Sequence, residues 1–207
     1  MPKITEERRA ARHLQILDAA RACLQEHGLE SVSMEMIIAR SGLSAGGVYG
    51  HFRGKDEIMY AVVLDGMADL GRLIGTVLAN PEPPPLPELM GQVLGVIEDF
   101  GQRRDGIDRL LVALHGWSHS LSDPALKEAA QVAYPRLREL FAETVRRGQA
   151  ARTYDPHADP EALAQLLTSV CLGYVAQRAL AGGADPRVHA AALAALTRAP
   201  RLTNHIP

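Results

Sequence analysis

Residues 33–55, which read SMEMIIARSGLSAGGVYGHFRGK, contain two short segments with helical spacing of apolar residues, and a glycine lies between them. Ser33 supplies a side-chain oxygen that can cap a first helix, and Gly42 stops that helix. Ser44 can cap a second helix, which reaches about His51. Two short helices joined by a turn of three or four residues that contains glycine form a helix-turn-helix unit.

Longer helices are predicted on both sides of this unit. The first runs from about Thr5 to His27 and ends at Gly28, and the next begins near Gly54. Apolar residues in the rest of the chain recur with helical spacing and not with period two, so the fold class is all-α with about nine helices. The later helices are predicted at roughly 88–103, 106–121, 124–150, 160–181 and 186–198.

Prolines mark where helices end and begin. Residues 80–87 contain five prolines and cannot continue a helix. Three predicted helix starts share an aspartate followed by a proline, at 123–124, 159–160 and 185–186. In each pair the aspartate is the predicted N-cap, and the proline takes the first helical position, where no N–H is required.

The helix-turn-helix segment is locally basic in a chain of net charge −2, since residues 36–55 contain three Arg or Lys and one His but no acid. A short basic face is sufficient for DNA, because phosphate contacts are local. The second helix of such a unit enters the major groove with its N-terminal residues foremost, and small residues there permit a close approach. The candidate DNA-binding residues are Ser33, Arg40, Ser44, Ala45, Gly46, Gly47, Tyr49, His51 and Lys55.

Residues 12–58 resemble the DNA-binding domain of the TetR family of transcriptional regulators. The most specific part of the resemblance is the Tyr-x-His-Phe-x-x-Lys run at 49–55. The resemblance implies that the tyrosine, histidine and lysine of this run hold DNA phosphates and that its phenylalanine belongs to the core. The other matching residues are Ile16, Leu17, Ala19, Ala20, Gly28, Ser33, Met34, Ile37, Gly42, Leu43, Ser44, Gly46 and Val48.

Three positions depart from the family pattern. Ile38 stands where alanine is usual, and Gly47 and Gly50 stand where larger residues are usual. A glycine inside a helix costs about 1 kcal/mol relative to alanine, so the recognition helix is expected to be loose until DNA orders it. Few of its side chains can read base edges, which leaves Ala45 on a thymine methyl, Arg40 and DNA shape as expected sources of specificity.

The resemblance implies a helix-turn-helix DNA-binding domain over 1–53 and a ligand-binding and dimerisation domain over 54–207. The implied function is that of a ligand-responsive regulator, expected to be a repressor. It would bind palindromic operator DNA as a homodimer and be released by a small apolar or amphipathic ligand. Two alternatives remain open: a helical regulator without a small-molecule ligand, and a helical enzyme that binds a metal or cofactor.

The last two predicted helices are apolar nearly all round, which favours a partner. A single helix-turn-helix reads few base pairs, so affinity usually comes from a dimer on two half-sites. The resemblance implies that these two helices of each subunit form a four-helix bundle. The candidate interface residues are Leu163, Leu166, Val170, Gly173, Tyr174, Leu193 and Leu196.

Aromatic and apolar residues between the DNA-binding segment and the last helices can line an apolar ligand cavity with a few polar anchors. The alternative for each of them is ordinary core packing. Trp117 is favoured as a ligand contact because it is the only tryptophan and has polar neighbours. The candidate ligand-binding residues are Phe100, Leu111, Leu114, His115, Trp117, His119, Tyr134, Phe141, Leu167 and Cys171.

No cofactor or bound metal is expected. His115 and His119 share a helix face, but no third metal ligand is evident. The phosphate-binding, dinucleotide-binding and zinc-protease motifs are absent from the sequence. Cys23 and Cys171 lie among apolar neighbours and are expected to be buried, reduced thiols of a cytoplasmic protein. No apolar run reaches the length of a membrane span.

Overall fold

The computed structural model describes residues 6–102 and 108–197, without the side chains of residues 29, 30, 115 and 119. Nine helices and no strand lie in these ranges, which confirms the predicted all-α class. None of these helices combines the length and apolar character needed to cross a lipid bilayer. The helices are α1 (Glu6–Ser31), α2 (Met34–Ser41), α3 (Ala45–Tyr49), α4 (Lys55–Leu78), α5 (Leu86–Gly101), α6 (Arg109–Ser120), α7 (Pro124–Ala150), α8 (Pro160–Leu180) and α9 (Pro186–Thr197).

The Asp-Pro pairs begin helices as predicted. In all three, the aspartate carboxylate accepts the backbone N–H two residues later, at 2.8 Å for Asp123, 3.0 Å for Asp159 and 2.8 Å for Asp185. Helix α5 begins at Leu86, two residues before the predicted start at 88. The difference arises because Pro87 lies in the first turn, where a missing N–H costs no helical hydrogen bond.

The chain forms two compact units. The first comprises residues 1–71 and 100–133, and the second comprises residues 72–99 and 134–207. Helix α4 contributes to both units because its single run of residues crosses from one to the other. This division concerns packing and does not follow the predicted boundary between 53 and 54. That boundary concerns function and stays a prediction.

The core of the first unit lies beneath the helix-turn-helix. Ile16 and Leu17 of α1 pack in one buried cluster with Ile37 of α2, Val48 of α3 and Ile58 of α4. Each of these side chains is at most 1% exposed. The burial of this amount of apolar surface fixes α2 and α3 on the longer helices, since each fully buried aliphatic side chain contributes about 1.5–3 kcal/mol.

The second unit encloses a core of α5, α7 and α8 side chains. The Tyr154 hydroxyl donates to the carbonyl of Pro84 at 2.7 Å, which secures the proline-rich connection after α4. Gly148 permits this arrangement, because a Cβ on it would lie 2.3 Å from the Tyr154 ring. Arg147 of α7 donates to the carbonyl of Leu78 and so caps the C-terminus of α4.

Candidate DNA-binding site

Helix α2 begins after Ser33, as predicted, and ends at Ser41, one residue beyond the predicted Arg40. The Ser33 hydroxyl oxygen accepts the N–H of Met36 at 3.3 Å, as an N-cap does. Gly42 has φ 67°, in the left-handed region that favours glycine, and it ends the helix. The Gln15 side-chain amide of α1 donates to the carbonyl of Ser41 at 2.7 Å. The turn is therefore fixed by its own caps and by α1.

Helix α3 is short and capped by Ser44, whose hydroxyl oxygen accepts the N–H of Gly47 at 3.2 Å. The helix ends at Tyr49, two residues before the predicted end. The reason is a tight turn, in which the N–H groups of His51 and Phe52 donate to the carbonyl of Val48 at 2.9 and 3.0 Å. The turn places the His51 and Phe52 side chains beside His13 of α1 instead of extending α3.

The outward face of α3 consists of small residues and one tyrosine. Val48 is fully buried and anchors the helix, whereas Ser44, Ala45 and Gly46 are exposed. Tyr49 is 53% exposed, which is unusual for so large a ring. The small residues at the start of α3 and the exposed Tyr49 hydroxyl group suit close contact with a DNA backbone, because no bulky side chain separates the two backbones.

Lys55 is the first residue of α4 and is half-buried. The turn before it is closed by Glu57, whose carboxylate accepts the N–H of Arg53 at 2.6 Å. One backbone donor near the start of α4 is therefore already used by the protein. Lys55 is the cationic residue at the start of α4.

Arg40 lies on α2 and pairs with Glu26 of α1. Its two terminal nitrogens each lie 2.6 Å from a carboxylate oxygen of Glu26. The Arg40 hydrogen bond is the main cause that holds the pKa of Glu26 below its usual range. Sequence reasoning missed this pair because the two residues lie on different helices, so no local spacing indicates it.

His51 lies in a cluster with residues of α1 that sequence reasoning did not select. The His13 ring stacks on Phe52 with centroids 4.8 Å apart, and its centroid lies 6.1 Å from that of His51. Burial lowers the pKa of His51, and the charges of His13, Arg9 and Arg12 lower it further. The sequence signal that could have indicated these α1 residues is a charged run that lies one or two helical turns before the apolar stripe of α1.

The candidate ligand-binding residues divide between the two units. In the first, Phe100 is buried beneath the guanidinium of Arg109, 5.3 Å from the ring centroid. Leu111, Leu114 and Trp117 are half-buried on α6 of the same unit, and the side chains of His115 and His119 lie outside the described residues. In the second unit Tyr134 is half-buried, whereas Phe141, Leu167 and Cys171 are core residues. A common cavity stays a prediction.

The candidate interface residues share one face of α8 and of α9, with one exception. Leu166 and Leu196 are 54% and 75% exposed, and the structure describes the others, apart from Tyr174, as half-buried. Tyr174 is 1% exposed and donates to Glu98 Oε2 at 2.7 Å. It differs from the prediction because its hydroxyl finds a partner within its own unit, which draws the ring into the core.

Cysteines and metal ligands play no part in this arrangement of described residues. Cys23 and Cys171 are free and buried, as predicted. Residues 6–102 and 108–197 contain no group of three or more side chains placed to hold a metal ion. The proposed pair of His115 and His119 lies outside the described side chains.

An all-α chain whose capped helix-turn-helix presents a small, exposed second helix belongs to the class of DNA-binding regulators. A family profile described as "Bacterial regulatory proteins, tetR family" matches residues 16–62. A second, described as "BetI-type transcriptional repressor, C-terminal", matches residues 92–199, just over half of the chain. The chain belongs to the TetR family of DNA-binding transcriptional regulators, which are not enzymes, so the enzyme alternative does not apply.

Known relatives agree with this assignment. The chain is 28% identical over 193 residues to the HTH-type transcriptional repressor Rv1474c of Mycobacterium tuberculosis, which covers 93% of this chain and 95% of the relative. Its fold is similar to that of Salmonella enterica GusR, with TM-score 0.70, 22% identity and coverage of 94% and 96%. A SmeT–triclosan complex is similar at TM-score 0.69, 23% identity and coverage of 90% and 91%. SmeT represses the multidrug efflux pump SmeDEF of Stenotrophomonas maltophilia.

Proposed function

We propose that the chain is a ligand-responsive repressor that binds palindromic operator DNA as a homodimer and leaves it when a small apolar or amphipathic ligand binds. The exposed, small-residue start of α3, capped by Ser44, is the observation that supports operator binding most directly. The proposed place of action is the cytoplasm, where a regulator of this family would meet its operator. The relative in M. tuberculosis is named as a repressor, which favours repression over activation.

DNA contact is proposed for the exposed face of the helix-turn-helix. Tyr49 and Lys55 would hold phosphates, while Ala45 and Gly46 would approach base edges. Ser33, Ser44, Gly47 and His51 complete the proposed surface. Arg40 joins it only if its guanidinium turns from Glu26 toward a phosphate.

The experiment is a selection of duplexes from random-sequence DNA by the purified chain, followed by footprinting. A dimer predicts an inverted repeat with half-site centres about 34–36 Å apart along the DNA, or a multiple of one helical turn. Enrichment of a single unrepeated site would contradict the palindrome. Failure to enrich any sequence, from a folded chain, would contradict operator binding itself.

The homodimer is proposed because α8 has a second apolar stripe besides the one that is buried within its own unit. Ala164, Leu167 and Cys171 lie on one stripe and are buried within the second unit. Leu163, Leu166, Val170 and Gly173 follow a neighbouring side of the helix at helical spacing, where Leu166 is 54% exposed. Helix α9 has no buried residue in the described chain although it is rich in alanine and leucine. Two adjacent helices with uncovered apolar faces are suited to pairing with a second copy.

A charge on this surface tests the dimer. Leu166→Glu combined with Leu196→Glu should convert the dimer to a monomer in light scattering after size exclusion. Leu121→Glu is the matched control, since Leu121 is 86% exposed and lies outside α8 and α9. This interface would be contradicted if Leu121→Glu also lost the dimer. It would likewise be contradicted if the double variant stayed dimeric.

Ligand response is proposed to pass from α6 to α4. Leu111, Leu114 and Trp117 are half-buried on α6. Between them Gly116 allows close contact with α4, because a Cβ on it would lie 2.7 Å from Val63 Cγ1. A ligand that displaces α6 would therefore push directly on the helix that begins with Lys55. The other proposed ligand contacts, Phe100, His115, His119, Tyr134, Phe141, Leu167 and Cys171, rest on the sequence prediction.

Trp117 supplies the assay, since it is the only tryptophan in the sequence. Triclosan, which SmeT binds, is a suitable first probe of an apolar, phenolic ligand class. Binding should change Trp117 fluorescence and weaken operator binding, and operator DNA should weaken ligand binding by the same factor. Trp117→Phe is the control for the signal. If a panel of apolar and amphipathic probes changes neither quantity, the regulator without a small-molecule ligand is favoured.

A further inference from the structure

Four nitrogen-bearing side chains surround the turn that follows α3. Arg9 lies about one helical turn before Arg12 and His13 on α1, and His51 comes from the turn itself. His13 is held in place by its stack on Phe52, a ring that is 3% exposed.

The charges that act on His51 all have the same sign. Arg9, Arg12 and His13 each lower its pKa in addition to the effect of burial. On the side of α4, Glu57 is engaged with the backbone N–H of Arg53. The remaining acids of α1 and α4 near this region, Glu6, Glu7 and Asp56, are exposed, and none contributes to the pKa of His51.

The two arginines have no ion-pair partner among residues 6–102 and 108–197, and both are exposed. Two exposed cations beside two half-buried imidazoles form a surface that lacks a matching anion. Tyr49, His51 and Lys55 belong to the proposed DNA contact, so this surface continues that contact onto α1. A DNA phosphate is the anion that the position supplies.

We propose that Arg9, Arg12, His13 and His51 form a phosphate-binding site on α1 and the turn that follows α3, in which the His51 imidazole takes up a proton when DNA binds, so that operator affinity rises as the pH falls. This inference rests on the proposed operator binding. It adds α1 to the DNA contact and gives that contact a dependence on pH.

The direction follows from linkage. In the free chain the lowered pKa of His51 keeps its imidazole neutral at neutral pH. A phosphate beside it favours the charged form and raises the pKa in the complex. Between these two pKa values each complex formed takes up a proton, and affinity falls by at most about tenfold per pH unit for each proton. Outside this range the site contributes no pH dependence.

The test measures binding of a duplex selected by the chain, by fluorescence anisotropy at constant ionic strength, from about pH 6 to pH 8, the range in which imidazoles titrate. Wild-type affinity should fall about three- to tenfold over this range. His13→Gln combined with His51→Gln should remove most of the slope. His157→Gln, which changes an exposed histidine of the second unit, should keep it. Arg9→Gln combined with Arg12→Gln should weaken binding and reduce the salt slope by about two, one for each lost phosphate contact.

Calorimetry of the wild-type protein keeps the inference testable if the histidine variant is unstable. Operator binding at pH 7 in two buffers with different ionisation enthalpies should show net proton uptake. Salt-dependent binding without pH slope or proton uptake would overturn this phosphate-binding site and leave operator binding intact. A slope that persists in the folded double histidine variant, or an unchanged salt slope in the arginine variant, would overturn it as well. Absence of any selected duplex would instead contradict operator binding.

Discussion

Arg40 of α2 donates hydrogen bonds from both terminal nitrogens to the carboxylate of Glu26 of α1, at 2.6 Å each. The pair places a negative charge beside a residue that is proposed to contact DNA. The same fork of N–H groups that binds a carboxylate also fits a phosphate. If Arg40 contacts the operator as proposed, Glu26 and a DNA phosphate would compete for its guanidinium.

Glu26→Gln should tighten operator binding several-fold at low salt, because it removes this competition and one negative charge near the DNA. The gain should shrink as salt increases. Glu139→Gln is the matched control, since Glu139 forms an exposed pair with Arg136 on α7 at 2.6 Å. Equal affinities in anisotropy titrations of wild type and Glu26→Gln would show that Arg40 does not face the DNA.

Gly46→Ala should stabilise the free chain by about 0.5–1 kcal/mol, because alanine favours the helix and a Cβ at this position meets no atom within 4 Å. Gly47→Ala should gain less, since its Cβ would lie 3.3 Å from the Ser44 hydroxyl oxygen. Thermal unfolding measures both. Operator affinity should fall in Gly46→Ala if the backbone of α3 approaches DNA closely. A variant that is both more stable and tighter on DNA would contradict that approach.

Asp65→Asn should destabilise the first unit by about 1–3 kcal/mol, because it leaves the buried guanidinium of Arg21 with one charged partner fewer. Arg21 is 8% exposed and contacts Asp65 of α4 as well as Asp18 of α1. Asp18 is 63% exposed, so Asp18→Asn should cost under about 1 kcal/mol. Urea unfolding of the two variants compares their losses in the free energy of unfolding. The reverse order of costs would mean that the contact between α1 and α4 contributes little.

The two thiols should be unreactive in the folded chain. Burial raises the pKa of Cys171 to about 12 and also raises that of Cys23. The reactive thiolate is therefore scarce below the raised pKa. Ellman's reagent at pH 8 should label neither thiol of the native chain and both after unfolding in guanidinium. Rapid labelling of the native chain would show that one of these sites opens.

Local signals in the sequence account for the helices and for the caps of the helix-turn-helix. Ser33, Gly42 and Ser44 act within three residues of their own positions, as capping requires, and each does what its residue type predicts. The Asp-Pro pairs behave in the same way. A cap depends on adjacent backbone groups, so its effect is predictable without the tertiary fold.

Contacts between distant segments were not predictable in this way. Glu26 meets Arg40, and His13 meets Phe52, only after α1 has packed beside the helix-turn-helix. The burial of Tyr174 depends on Glu98 from another helix, 76 residues away in sequence. Periodicity identifies the apolar faces of α8, but it does not determine which face its own unit covers. The ligand and interface residues therefore remain less well defined than those of the DNA surface.

The most direct test of the central claim is a salt titration of operator binding by wild type, Tyr49→Ala and Lys55→Ala. Lys127→Ala is the control, since Lys127 is an exposed lysine on α7. Wild type should bind its selected duplex with an affinity that falls steeply with salt, and the first two variants should lose most of it while Lys127→Ala does not. Full affinity in folded Tyr49→Ala and Lys55→Ala would contradict the proposed DNA contact.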